Sequence, residues 1–308
     1  MLSIRFFRFF RYLFRWSTLK KVLVRIAQRR LPGLSGEIAY NAMFSLFPAI
    51  LALLAAISLF KNFLGDTFNG LATQISQVAP DQALAVIHAV IQEVIQTQSS
   101  SLFSISFVVA IWVASAALSS AMFAFDQIAQ IPPEQVRPFW KAKLISIGLT
   151  IGTIVLLLVA SFLVFISDWL LQLVVHKVSK LAILLVMWRL LSWPLALGIV
   201  SAAFAFVYRY GPSRWTHGTP VMPGAVVAAV LWAVVSAMFR LYVADIANFN
   251  RTYGAIGAVM VLMLWLYLSA LVLLVGNELN VTVGEDMRAA AKNNLEPTQS
   301  LSSKTNSN

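Results

Sequence analysis

Asn41, Asp126, Asn277 and Glu278 are polar residues set at the ends of long apolar runs, and Arg137 stands in a loop between two such runs. A carboxylate or amide at the end of a membrane helix can line a polar path, and an arginine in a connecting loop can hold a lipid headgroup or a phosphate. Asn41, Asp126 and Glu278 are therefore read as polar lining and Arg137 as a headgroup contact. Pro48 interrupts an apolar run, where a proline removes one backbone hydrogen bond and bends the helix. Tyr253 and Gly254 open the last apolar run, with Gly254 as a point of backbone bending. The plainer reading of the same residues is that polar ends meet headgroups and small residues pack helices.

These residues do not form a catalytic or metal-binding pattern. Metal-assisted hydrolysis needs several converging His, Asp or Glu ligands. The sequence has three widely separated histidines, His88, His176 and His217, no cysteine, no HExxH and no Walker A motif. No cofactor, metal or catalytic residue is expected, and the chain is not read as an enzyme.

The elements that must position these side chains follow from composition. Of 308 residues, 59% are hydrophobic and 11% charged, with mean hydropathy +0.80. A soluble domain is about 25% charged, so the class is an all-α polytopic membrane bundle. Six spans are expected, at about 38–60, 102–125, 144–166, 190–208, 221–239 and 256–280. The last is the clearest, since Ala258 to Val275 carries no charge, and ~20 apolar residues cross a ~30 Å hydrocarbon core. Small residues in VASAALSSA (113–121) predict close helix contact. Segment 81–96 reads as an amphipathic helix outside the membrane, and 170–188 as an interfacial segment with Arg189 at the boundary. From Gly284 the tail is polar and is expected to be disordered.

Charge sets the orientation. Nine of the 23 basic residues lie within residues 1–30, which hold no acid. Residues 1–34 are read as a basic interfacial segment. Arg5, Arg8, Arg11 and Arg15 face away from Phe6, Phe7, Phe10, Leu13 and Phe14, and a second helix, capped by Thr18, buries Leu19, Val22, Leu23 and Ile26. The punctuation LPGLSG (31–36) ends it. With both termini inside, 17 basic residues fall on the inner side and six on the outer, so the expected topology is N-in and C-in. A basic terminus on an apolar body points to anionic lipids of the cytoplasmic leaflet rather than nucleic acid. Membrane lipids are the expected partners; a second copy of the chain and an envelope protein are the further candidates.

Three stretches carry a resemblance to a known family. They are AYNAMFSLFPAILAL in the first span, the loop around Arg137 and Pro138, and the run from Tyr208 through Pro212, Pro223-Gly224 and Trp232 to YGAIG, MLWLYLS and LVGNELN. On these the chain resembles the YihY/virulence factor BrkB family of bacterial inner-membrane proteins over roughly residues 35–285. The resemblance implies six spans, a biochemically undefined activity, and roles in envelope integrity or lipid export. Members have also carried a ribonuclease label, which the residues here argue against. The function expected is transport or export of a lipid-like envelope component, with a non-transporting scaffold as the alternative.

Overall fold

The computed structural model describes residues 16–46, 48, 108–109, 111–175, 182–214, 219–246 and 250–305, of which 157–158, 160–175, 182–190, 192–193, 244–246, 250–256, 258 and 291–305 are described by backbone alone. Among these residues there is no strand. The chain divides into two compact units, one of residues 1–40 with 118–308 and one of residues 41–117. The expected helices at 1–16 and 81–96, and most of the first span, lie outside the described residues.

The larger unit begins with α1 (Trp16–Gln28) and the first part of α2 (31–46), whose residues from Asn41 belong to the other unit. α1 ends at Arg30, whose left-handed φ of 53° lets its N–H return to the Ala27 carbonyl at 3.1 Å. LPGLSG is not the expected break. It is the first turns of α2, where Pro32 lacks only an N–H that would have had no helical partner. Val22 is buried with Leu19 and Ile26 packed around it, but Leu23 is 68% exposed and so lies off the expected apolar stripe.

α3 (Ala116–Ile128) ends in the same way as α1. Gln130 takes a φ of 52°, its N–H bonds to the Gln127 carbonyl, and Ile131 N–H reaches the Asp126 carbonyl at 3.0 Å. That pair of bonds is a Schellman stop, and Pro132 follows it. A short 3₁₀ turn (Pro133–Gln135) leads to α4 (Phe139–Val175), then α5 (Ala182–Tyr210), α6 (Met222–Ile246) and α7 (Asn250–Thr305). α4 packs on α5, α5 on α6, α6 on α7, and α7 on α1. The core is made by Ala121, Ala124, Phe125 and Ile128 of α3, Val207 and Tyr208 of α5, Ala225 and Ala228 of α6, and Ala270, Val272 and Leu274 of α7. The alanines explain the close approach, because small side chains let membrane helix backbones meet.

Four described helices are long and apolar enough to cross a membrane: Ile111–Ile128, Phe139–Leu156, Met222–Val243 and Val259–Ala290. Pro194–Tyr210 is apolar but shorter. Two expectations change. Segment 170–188 is not a separate interfacial element, because α4 continues to Val175 and α5 begins at Ala182. A 37-residue helix is about 55 Å long, more than a ~30 Å core requires. The polar tail is not disordered from Gly284, because α7 runs on as helix to Thr305.

Candidate functional site

The polar residues of the larger unit gather at one end of its helices, and the helix geometry shows why. On α7, Glu278, Thr282, Glu285 and Asp286 recur at four, three and one residues, which puts them on one face. On α1, Thr18, Lys21, Arg25 and Arg29 do the same. The two faces meet as a ladder. Lys21 Nζ pairs with Asp286 at 2.6 Å, and Thr18 Oγ1 donates to the same carboxylate at 2.9 Å. Arg25 pairs with Glu285 at 2.7 Å and donates to Thr282 Oγ1 at 3.0 Å. Thr282 Oγ1 in turn donates to Glu278 Oε1 at 2.8 Å. Arg29 Nη1 donates to both Glu278 oxygens, at 3.0 and 2.7 Å.

The rungs are not equal. Glu278 is 0% exposed and the Arg29 side chain 10%, whereas Lys21 is half exposed. An exposed pair contributes little, about 0–1 kcal/mol. The Arg29–Glu278 pair is desolvated, so losing either partner strands a buried charge. Thr18, expected to cap α1, is instead a fully buried rung of the ladder.

A second cluster joins the end of α3, the Arg137 loop and the turn after α5. Asp126 is buried; its Oδ1 accepts the Ser213 N–H and its Oδ2 accepts Ser213 Oγ–H, both at 2.6 Å. Ser213 Oγ accepts the Arg137 N–H at 3.1 Å. Arg137 Nη1 donates to the carbonyls of Tyr210 and Gly211, at 3.0 and 3.1 Å. That nitrogen caps the C-terminus of α5, where a cation also meets the negative end of the helix dipole. The sequence read Arg137 as a headgroup or phosphate contact; in the structure its Nη1 is taken by these two carbonyls. Burial lowers the pKa of the Arg137 guanidinium below its usual value, and Asp126 pulls it back up. Asn280 of α7 holds the start of α6: its Oδ1 accepts the Gly224 N–H at 3.0 Å and its Nδ2 donates to the Val221 carbonyl at 3.2 Å. Gly224 leaves the room for this, since a Cβ there would run into the Asn280 amide. Arg288 reaches Thr219 Oγ1 at 2.8 Å.

Of the candidates read from sequence, Asp126, Arg137, Asn277 and Glu278 come to this end of the unit. Asn277 is 3% exposed and its Nδ2 has no hydrogen-bond partner among the described residues. Asn41 belongs to the other unit, where its carbonyl accepts Ser45 Oγ–H at 2.6 Å. Pro48 is helical and part-buried in that unit. Tyr253 and Gly254 are helical in the first turns of α7. Sequence reasoning missed Arg25, Arg29, Thr282, Glu285, Asp286 and Ser213. The signal was present in spacings that put the bases of α1 on one helix face and the acids beyond the last apolar run on another. Among the described residues no three His, Cys, Asp or Glu side chains converge on a metal-sized space.

Known proteins of similar sequence are membrane proteins and a ribonuclease-like protein. The chain is 29% identical over 264 residues to the putative ribonuclease-like protein YfkH of Bacillus subtilis, covering 86% of this chain and 94% of that protein. It is 28% identical over 273 residues to a UPF0761 membrane protein of Aliivibrio fischeri strain MJ11, covering 88% and 84%. A UPF0761 membrane protein of Tolumonas auensis is 26% identical over 266 residues, covering 85% and 83%. No solved structure matches. The profile of virulence factor BrkB matches residues 22–300, which takes in the α1 ladder from Val22 on, the Asp126 cluster and most of α7. An all-helical membrane chain with that match over most of its length belongs to the virulence factor BrkB family.

Proposed function

We propose that this integral membrane protein moves a lipid-like envelope component, and that the Arg29–Glu278 pair closes one end of its path. One observation carries the reading. A fully buried, ion-paired carboxylate stands at the end of a span that is otherwise free of charge. Burying two charges costs about as much as their attraction returns, so stability alone is a weak reason for such a pair. A buried charge pair between two helices at the headgroup end of a span is a candidate moving part. α1 is joined to α7 by polar rungs around a small apolar contact, an arrangement suited to opening and closing.

The experiment compares lipid distribution across the membrane in a deletion strain, with and without the wild-type gene. Accumulation of one lipid class on the inner leaflet, reversed by the gene, is the expected result. An unchanged distribution with full complementation of the deletion phenotype removes transport. It would favour a non-transporting scaffold, a reading that the Asp126 and Asn280 bonds support because they tie helix ends together.

We also propose six spans in the bacterial inner membrane with both termini cytoplasmic. The pairing of residues 18–29 with 278–286 supports termini on one side, and the loop of Arg137 and the turn of Ser213 meet at that end too. These are the segments that carry the basic excess. A reporter fused after Asn308 is expected to signal from the cytoplasm; a periplasmic signal overturns the topology. The ribonuclease-like name belongs to YfkH. In this chain the described acids nearest a polar end, Asp126 and Glu278, are both engaged by donors.

A further inference from the structure

α1 has a second face that the ladder does not use. At 100° per residue, Trp16, Leu23 and Ala27 lie roughly opposite Thr18, Arg25 and Arg29. Trp16 is 80% exposed, and Leu23, Ala27 and Val24 are exposed beside it. Along one flank of this strip runs a groove of about 370 Å³ lined by Ser17, Lys20, Lys21, Val24, Arg25 and Gln28. Lys20 sits at the join of strip and groove, exposed and in no ion pair among the described residues. The ladder fixes the height of this face. It holds α1 against residues 278–286, just past the uncharged part of the last span, and so at headgroup level. A tryptophan with an apolar strip at that depth suits the acyl boundary, and lysines beside it suit the phosphates.

We propose that the groove of α1 is a binding site for an anionic phospholipid, with Lys20 as its main phosphate contact. Ser17 and Gln28 supply neutral hydrogen bonds at either end of the groove, and Trp16, Leu23 and Val24 lie against the acyl chains. Lys21 and Arg25 add positive potential while remaining in the ladder. The site deepens the transport reading by naming the chemical class presented at the closed end, and it rests on α1 facing the cytoplasmic leaflet.

The test uses the full chain in neutral detergent, with lipid retention read by native mass spectrometry. Phosphatidylglycerol is expected to bind and phosphatidylcholine to bind far less. Lys20→Glu is expected to weaken phosphatidylglycerol retention by roughly tenfold or more, since each charge near an anionic surface counts for about 1 kcal/mol and the reversal changes two. Arg240→Glu on α6, the same charge change elsewhere, is expected to leave it unchanged. Equal loss in both variants, equal binding of the two lipids, or full displacement by inorganic phosphate overturns the proposal. Phosphatidylglycerol binding in a protein whose deletion leaves lipid distribution unchanged supports the site and removes transport, so the two readings fail separately.

Discussion

Replacing Arg29 by alanine will destabilise the protein by about 3–5 kcal/mol, the usual cost of leaving one charge of a buried pair alone. Glu278 is fully buried, and Arg29 Nη1 donates to both of its oxygens. Without that guanidinium the carboxylate keeps the Thr282 hydroxyl at 2.8 Å and Arg25 Nη1 at 3.8 Å. The second is too long for a hydrogen bond, and Arg25 is already committed to Glu285. Denaturant unfolding in detergent measures the loss. Arg29→Met combined with Glu278→Leu is the informative partner, because apolar replacement of a whole buried pair is often neutral or stabilising. The double variant is expected to unfold within about 1 kcal/mol of the wild type, or later. If it is stable but does not complement a deletion, the pair does more than hold helices. If it is stable and complements fully, the observation that carries the transport reading is gone. An Arg29→Ala loss below about 1 kcal/mol would place the pair with exposed, screened contacts instead.

The Arg29–Glu278 pair also marks where sequence reading stops. Glu278 was visible as a polar group closing the last apolar run, and Arg29 as one of nine basic residues at the N-terminus. Their meeting was not visible, because 249 residues separate them. A charge count treats the bases as markers of orientation, since it has no term for which face of a helix meets which partner. The tail shows the same limit. Its composition reads as unable to fold alone, yet Glu285 and Asp286 have partners waiting on α1, and the helix continues through them. LPGLSG misled for a local reason. The αL residue that stops α1 is Arg30, not a glycine, so the stop carries no residue signature.

Membrane class and the apolar runs were legible because they rest on composition over tens of residues, where single contacts average out. The basic excess was legible as a count, and the side of the membrane it faces is the proposed topology. Positive charge keeps loops to one side; in the structure Arg137 bonds to the end of α5 and Arg288 to Thr219. What those charges do was less legible. Arg137 was read as reaching out to a phosphate, but the first acceptors in range are the unpaired carbonyls that every helix leaves at its C-terminus. A charged side chain in a short loop satisfies the nearest helix end before it is available to a ligand.

Gly276→Val will cost about 3 kcal/mol, at the upper end of overpacking in a closed core. A Cβ at this position would fall 2.6 Å from the Ala228 Cβ and would collide with the Tyr208 hydroxyl. Neither can move aside freely. Ala228 is buried with its methyl group fixed to the α6 backbone. Tyr208 is fully buried, donates its hydroxyl to the Leu273 carbonyl at 2.8 Å, and stands edge-on to Phe125 at a centroid distance of 5.7 Å. The glycine therefore lets α7 approach α5 and α6 at this level, two residues before Glu278. Forcing α7 outward there should loosen the ladder as well, and faster amide exchange over residues 276–286 is the second readout. Tyr208→Phe separates the causes. Alone it should cost about 1 kcal/mol for the lost hydrogen bond. Combined with Gly276→Ala, it removes one of the two colliding groups, so the pair should cost less than the sum of its single changes. Simple additivity would mean that the hydroxyl is not the obstacle. Ala228→Gly in the Gly276→Ala background then tests the other collision, and recovery of part of the lost stability is the expected result.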